Sequence, residues 1–176
     1  MPGRAFVFIN PQQAARCGHV GWGFAMDEAQ DRFYFGSTDH LLRDPWWDLL
    51  GWLRYAHVEP NGSNDWWSGT GTFHEMMIDM HDGHHIRYHM AKELIVPQPN
   101  PDSAFTYAES LANAGWSVLI NNCVHQTHEV LSRYGAVDLP GPGDITNLVP
   151  KVWFARLPGR LYDLDSFCQQ PSQASR

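Results

Sequence analysis

Short runs of apolar residues in the first part of the chain predict strands rather than helices. The runs are residues 5–10 (AFVFIN), 18–26 (GHVGWGFAM) and 32–38 (RFYFGST). The polar stretch DEAQD separates the last two, so an antiparallel hairpin is the simplest connection. A further strand is expected near 88–96, in YHMAKELIV. Together these segments predict a small antiparallel sheet.

The second half of the chain has helical periodicity. Asn100 suits an N-cap and Pro101 a first helical position, and Gly115 is a plausible stop. WSVLI (116–120) predicts a short strand. The next helix is expected to begin at Asn122 and to stop at Gly135. Its apolar stripe consists of Val124, Thr127, Leu131 and Tyr134. A last short helix is expected in PKVWFARL, opened by Pro150.

The segment from about 40 to 90 is rich in tryptophan and holds seven of the ten histidines. Glycines and a proline interrupt it, so we interpret it as an insertion of short helices and loops over one end of the domain. The chain contains no internal repeat. We therefore expect a single α+β domain over 1–170 and a flexible tail over 171–176.

Composition excludes several functions. The formal charge is −7 and only two of the twelve basic residues are lysines, so a nucleic-acid-binding surface is not expected. No apolar stretch is long enough for a signal peptide or a membrane span. The three cysteines form no CxxC pair, which favours a reducing, cytoplasmic environment over a disulfide framework. A small molecule or a peptide is the expected partner.

Cys123 is the first candidate for chemistry because it follows the expected N-cap. The thiolate is the reactive form of cysteine, and a helix N-terminus favours an anion. A buried structural thiol is the alternative. His125 and His128 point about 200° and 140° away from Cys123 around the helix, so the imidazole partner must come from elsewhere. His19 is the best candidate, because glycines flank it on a predicted strand and permit close approach.

These motifs resemble a known superfamily. GHVGWGF, FYFGSTD and NNCVHQTHEVLSRYGA are similar to segments of the circularly permuted papain-like cysteine hydrolases, which include NlpC-like peptidases and lecithin:retinol acyltransferase-like proteins. LVPKVWF resembles the proline-led segment that closes bacterial members. The resemblance covers residues 5–38 and 88–157. It implies a small antiparallel sheet packed against the cysteine-bearing helix.

The resemblance also implies roles for individual residues. Cys123 would be the nucleophile and His19 the general base, with a third polar residue on the neighbouring strand. If the hairpin is symmetric about Ala29, His19 faces Asp39, and Ser37 shares that face. Asp39 is the first choice for the third residue. A one-residue change of register would bring up His40 or Thr38 instead. Trp22, Ser37 and Asn122 are candidate substrate-binding residues.

The expected reaction is cleavage of an amide or ester bond through a thioacyl-enzyme, without a cofactor or metal. An acyltransferase that uses the same intermediate is the nearest alternative. A metal-binding module built from His81, Asp82 and either His85 or His89 is another. A non-catalytic interaction module, with its tryptophan pairs exposed, is the last. The substrate would be a peptide or a small acyl-containing molecule.

Overall fold

A computed structural model describes residues 1–14, 16–38, 57–61, 65–82 and 88–169. Six described strands form the main sheet: β1 (Gly3–Asn10), β2 (His19–Asp27), β3 (Arg32–Thr38), β5 (Trp66–Gly71), β6 (Met90–Val96) and β8 (Arg160–Asp163). β4 (His57–Val58) and β7 (Trp116–Ser117) pair separately. The main sheet has the order β5-β3-β2-β1-β6-β8, and every neighbouring pair is antiparallel.

Helices cover both faces of this sheet. The described α-helices are α1 (Phe73–Asp82), α2 (Pro101–Ser110), α3 (Cys123–Tyr134), α4 (Pro150–Arg156) and α5 (Leu164–Gln169). Side chains from α2, α3 and α4 pack on one face, whereas α1 and Leu164 of α5 pack on the other. The expectation of an α+β fold with an antiparallel sheet is confirmed.

Strand alternation divides the apolar residues between two cores. In β2, Val20, Trp22 and Phe24 turn toward α3, because successive side chains of a strand point to opposite faces. The other face is lined by Phe33 and Phe35 of β3, with three methionines of α1 packed on it: Met76, Met77 and Met80. The two cores fix the register of the sheet, since a shift of one residue would exchange them.

The predicted hairpin register is confirmed over the described pairs. Trp22 lies opposite Gly36 and Phe24 lies opposite Tyr34, which is the arrangement symmetric about Ala29. A β-bulge between Ala25 and Asp27 shifts the pairing only next to the turn.

The predicted helix ends are confirmed except for one: α2 ends at Ser110, and a separate 3-10 turn (Leu111–Asn113) lies between it and the predicted stop, Gly115. Asn100 caps α2 by accepting a hydrogen bond from the Ser103 N–H at 3.1 Å, and Pro101 opens that helix. Asn122 caps α3, and Gly135 ends it with a left-handed backbone (φ +104°). Pro150 opens α4 as expected.

The interpretation of the middle segment as helices and loops is wrong for residues 66–71. These residues form β5, an edge strand that pairs with β3 along its whole length. The glycines made this strand hard to recognise from the sequence. Gly69 is nevertheless required for packing, because a Cβ atom there would lie 2.9 Å from the Phe35 ring. Residues 39–56 and the predicted tail, 171–176, lie outside the described part. Among the described helices, none combines the length and apolar character that crossing a bilayer requires.

Candidate active site

Cys123 is the first residue of α3, and Asn122 fixes the start of that helix. The Asn122 Oδ1 atom accepts hydrogen bonds from the N–H groups of Val124 and His125 at 2.9 and 3.3 Å. Its Nδ2 atom donates to the Val118 carbonyl at 2.9 Å and to the Leu148 carbonyl at 3.4 Å. Because both ends of this amide are engaged, Asn122 serves as a cap. Its predicted part in substrate binding stays a prediction.

The Cys123 side chain is 5% exposed at the edge of the core that α3 shares with β2. Among the described residues, neither its Sγ atom nor its backbone N–H has a hydrogen-bond partner. An unpaired N–H in the first turn of a helix is a donor for an anion at that point. The thiol therefore lies beside a main-chain donor suited to a developing oxyanion.

The two histidines that follow Cys123 have other roles. The His125 Nδ1 atom lies 3.4 Å from the Asn122 backbone nitrogen and completes a capping box. Burial lowers the pKa of His125, and so does the charge of His128. Burial also lowers the pKa of His128, whose ring lies 3.5 Å from the Ser132 hydroxyl. This geometry agrees with the expectation that neither histidine serves the sulfur atom.

His19 is the first residue of β2, and its ring is joined to the neighbouring strand. The Nε2 atom lies 2.9 Å from the Oγ atom of Ser37. His19 is 7% exposed and Ser37 is fully buried, so water competes little for this hydrogen bond. The structure thus brings together two of the predicted site residues on one face of the hairpin.

Tyr88 is the site residue that sequence reasoning missed. Its hydroxyl donates to Ser37 Oγ at 2.8 Å, and its ring centroid lies 6.0 Å from that of His19. Tyr88 is fully buried and precedes β6 in the chain. Gly21 was the available signal: a Cβ atom there would lie 2.9 Å from the Tyr88 hydroxyl oxygen. The sequence predicted a close approach at this glycine, though not the partner.

Cys123 and His19 lie at the same end of the sheet. The Tyr134 ring, in the last turn of α3, is 5.1 Å from the Phe24 ring of β2. Eleven helical residues back to Cys123 span about 16 Å, and five strand residues from Phe24 back to His19 span about the same. The start of α3 is therefore level with the start of β2.

The residues before and within α4 support this placement independently. The Leu148 carbonyl accepts from Asn122, next to the thiol, and the Lys151 N–H donates to the Cys17 carbonyl at 3.1 Å. This stretch thus borders both Asn122 and the residues that lead into His19. It belongs to the proline-led segment that the sequence resemblance singled out.

The thiol and the imidazole approach this end of the sheet from opposite faces. β2 turns Val20 and Trp22 toward α3, whereas the His19 ring reaches Ser37 and Tyr88 on the α1 face. Within the part of the chain that the structure describes, no hydrogen bond joins Cys123 Sγ to His19. Catalytic hydrogen bonds are often long in unliganded enzymes and tighten when substrate binds. A productive pair must therefore meet around the end of the sheet, where β2 begins.

The remaining predicted site residues differ in their surroundings. Trp22 is 1% exposed in the core, and burial of this kind does not favour contact with a substrate. Its role in substrate binding stays a prediction. Asp39 and His40 lie outside the described residues. The side-chain amide of Asn121, two residues before Cys123, donates to the carbonyls of Ala114 and Gly115 at 3.4 and 3.3 Å.

A second histidine cluster lies on the α1 face. Asp165 of α5 contacts His81 Nε2 at 2.8 Å and His89 Nδ1 at 3.1 Å. These contacts fasten α5 to α1 and to the residue before β6. No group of three or more potential ligands arranged for a metal ion occurs among the described residues, which exclude His84 and His85.

One described surface hollow, of about 410 Å³, is lined by residues of α2 and by Arg133 of α3. Arg133 belongs to the last turn of α3, so this hollow is far from Cys123. In comparisons with models of protein families, with curated proteins and with solved structures, no match to this chain was found.

Proposed function

We propose that this protein is a cysteine hydrolase of the permuted papain-like type that cleaves an amide or ester bond through a thioacyl intermediate on Cys123. The observation that carries the proposal is the 2.9 Å contact between His19 Nε2 and Ser37 Oγ. In this proposal Ser37 orients the ring through Nε2, and the Nδ1 atom is assigned the role of proton acceptor. In enzymes that use an activated nucleophile, a third group commonly holds the general base in the correct orientation.

The reaction follows from these roles. His19 Nδ1 takes the proton of the Cys123 thiol, and the thiolate attacks the carbonyl carbon of the substrate. The bond from that carbon to the leaving nitrogen or oxygen breaks, and the leaving group takes the proton from the imidazolium. Water, deprotonated by His19, then attacks the thioester carbonyl, and the bond from that carbon to the Cys123 sulfur breaks. The acid is released, and the imidazolium returns its proton to the thiolate, which restores the thiol.

The unpartnered backbone N–H of Cys123 supports the same assignment. A tetrahedral intermediate on Cys123 carries its negative charge on the former carbonyl oxygen, close to that N–H. Since the helix dipole already favours negative charge in the first turn of α3, the donor needs no reorganisation. Removal of one such donor typically costs a factor of about 100 or more in rate.

Ser37 is our choice for the residue that orients His19. The sequence pointed first to Asp39, with Ser37 as an alternative on the same face. A serine hydroxyl holds the ring in position but stabilises the imidazolium less than a carboxylate does. We therefore propose a base of moderate strength. Asp39 lies outside the described residues and stays the alternative third residue that the sequence predicted.

Reactivity of the thiol tests the proposal directly. We expect iodoacetamide to alkylate Cys123 about tenfold faster than Cys17 at pH 7, although Cys17 is exposed and Cys123 is buried. The physical reason is that His19 and the helix N-terminus hold a larger fraction of Cys123 as thiolate. Mass spectrometry of the separated peptides over a range of pH measures both rates in one sample, so Cys17 is the internal control.

Variants of the base complete this test. His19→Ala should slow the alkylation of Cys123 near pH 7, and Ser37→Ala and Asp39→Asn should do so less. Unchanged profiles in His19→Ala would mean that the two residues do not meet, and the proposed dyad would then be abandoned. With an ester substrate, a mass increase on Cys123 equal to the acyl group identifies the intermediate. Transfer of that group to an added amine in place of water would identify an acyltransferase.

A further inference from the structure

Acidic residues are distributed unevenly around the proposed site. The chain has a formal charge of −7 and contains 19 acidic residues. Three stretches supply the residues that border the end of the sheet where thiol and imidazole approach each other: residues 10–26 contain the start of β2, residues 110–128 contain Cys123, and residues 145–162 contain α4. None of these stretches contains an aspartate or a glutamate. An acidic protein therefore builds this border from neutral and basic residues.

Lys151 of α4 lies against the residues that lead into His19. Its backbone N–H donates to the Cys17 carbonyl at 3.1 Å. A Cβ atom on Gly18 would lie 3.0 Å from the Lys151 Cγ atom, so the stem of the lysine side chain runs across Gly18. The ammonium group is a few bonds beyond that contact. A positive charge is thus held at the same end of the sheet as the proposed base.

The charge of Lys151 is not neutralised by a neighbouring side chain. Among the residues that the structure describes, its ammonium group takes part in no ion pair. In contrast, Arg4, Arg133 and Arg156 each contact a carboxylate. Lys151 is half-buried, and a lysine of this kind packs its stem on the protein while its charge stays in water. An anion that enters the site can therefore reach it.

Two described carboxylates at this end of the sheet belong to the other face and are engaged there. Asp165 contacts His81 and His89, and Asp163 accepts a hydrogen bond from the Ser166 N–H at 3.2 Å. These residues accompany α5, which packs on the α1 face, whereas α4 packs on the face of the thiol. The surrounding charges thus favour the approach of an anion from the side of α4.

We propose that Lys151 is a specificity-determining residue that binds an anionic group of the substrate close to the scissile bond. The inference rests on the proposed function and names its substrate class: an amide or ester that carries a carboxylate or a similar negatively charged group. A lysine ammonium group is a compact charge without the planar donor pair of arginine. It therefore selects for negative charge rather than for one geometry of the anion.

Two alkylating reagents of matched shape measure this charge at the thiol itself. Iodoacetate carries a carboxylate and iodoacetamide a neutral amide, and the thiolate attacks the same carbon of each with loss of iodide. The ratio of the two rates at Cys123 reports the charge near the sulfur atom, because the fraction of thiolate cancels from the ratio. Cys168 of α5, whose Sγ atom lies 4.0 Å from the Met77 carbonyl on the α1 face, is the internal reference.

Lys151→Met keeps an unbranched stem over Gly18 and removes the charge, whereas Lys151→Arg keeps both. We expect the ratio of iodoacetate to iodoacetamide rates at Cys123 to fall about two- to threefold in Lys151→Met and further in Lys151→Glu, as for a unit charge at about 8 Å in water. Lys151→Arg should keep the parent ratio. Arg133→Met is the matched control, because it removes one positive charge in the last turn of α3. In 1 M salt the differences should vanish, since the screening length falls to about 3 Å.

A pair of aryl esters extends the test to the proposed reaction: one ends in a carboxylate and the other in a carboxamide. We expect the carboxylate ester to acylate Cys123 faster in the parent protein and to lose this advantage in Lys151→Met. The inference would be overturned by a reagent ratio that is the same in the parent, Lys151→Met and Lys151→Glu, by an equal fall in Arg133→Met, or by equal, measurable acylation by the two esters in the parent. A ratio that depends on Lys151, in a protein whose Cys123 neither ester acylates, would sustain Lys151 as an anion-binding residue and refute the proposed function.

Discussion

Gly21 leaves room for the Tyr88 hydroxyl at the point where β2 passes beneath it. On the α1 face the next two positions of β2 after His19 are Gly21 and Gly23, and their missing side chains leave room for Tyr88, Met80 and Met76. Glycine is needed here for space rather than for backbone conformation, since Gly21 is not among the glycines with positive φ. The site therefore depends on the absence of a side chain at Gly21 as much as on its polar side chains.

Gly21→Ala is expected to displace both Tyr88 and Met80. Because overpacking of a filled core typically costs about 1–3 kcal/mol, the free energy of unfolding should fall by that amount. Because Tyr88 contacts Ser37, which in turn contacts His19, alkylation of Cys123 should slow as well. Urea denaturation and thiol labelling measure the two effects.

The matched control is Gly143→Ala, because a Cβ atom on Gly143 would meet nothing within 4 Å. Gly143→Ala should change neither stability nor reactivity. Full thiol reactivity in Gly21→Ala would show that the approach of the Tyr88 hydroxyl does not matter to the site.

Helix α3 carries the nucleophile, and its first turn combines a cap, a capping box and a thiol. The His125 Nδ1 atom lies 3.4 Å from the Asn122 backbone nitrogen, from which it can accept, and 3.0 Å from Asn122 Oδ1, to which it can donate. A protonated imidazole in the first turn would face the positive end of the helix dipole. Burial, which lowers the pKa of His125, acts in the same direction.

This depressed pKa predicts how stability depends on pH. An unfolded histidine titrates near pH 6.5 and the folded His125 titrates lower, so the unfolded state binds more protons between the two values. The stabilisation from neutral His125 is therefore complete above about pH 6.5 and is lost as the pH falls toward the folded pKa. His125→Gln keeps a capping-box side chain that does not titrate.

Denaturation at pH 7 and pH 5 provides the measurement. The parent protein should lose more stability over this range than His125→Gln does, and the double variant with His128→Gln should lose least, because the pKa of His128 is lowered as well. If the parent and His125→Gln lose the same amount, the capping histidine is not coupled to folding.

Across the whole molecule, one antiparallel sheet separates the two elements that the proposed chemistry needs. α3 brings the thiol on one face, while α1 and the residues before β6 support the imidazole on the other. The stretch from Leu148 to Lys151 borders both at the end of the sheet. On the α1 face, Asp165 joins His81 and His89, and so ties the C-terminal helix to the rest of the domain.

We interpret the cluster of Asp165, His81 and His89 as a structural contact that holds α5 in place, and not as a metal centre. Both histidines direct a ring nitrogen to the same carboxylate, and the described residues contain no group of three or more potential ligands arranged for a metal ion. Protein purified without a histidine tag should contain far less than one zinc ion per chain by elemental analysis. Treatment with a chelator should leave its melting temperature unchanged. One bound zinc ion, lost on substitution of His81 or His89, would overturn this interpretation.

The sequence by itself determined the features that depend on near neighbours. Asn100 and Asn122 cap helices because their side chains reach N–H groups two or three residues away. Pro150 opens α4, and Gly135 ends α3 with a backbone that other residues rarely adopt. The hairpin register followed from the length of one turn, and it placed His19 and Ser37 on the same face.

Only the tertiary structure decided the contacts between distant residues. Tyr88 meets Ser37 across 51 positions of sequence, and nothing local to either residue encodes that meeting. β5 is a strand because it pairs with β3, although its glycines weaken any intrinsic preference for extended structure. The tertiary structure likewise decided that Cys123 and His19 approach the end of the sheet from opposite faces. Local hydrogen bonds and steric limits can be read along a chain, whereas packing depends on which distant surfaces fit together.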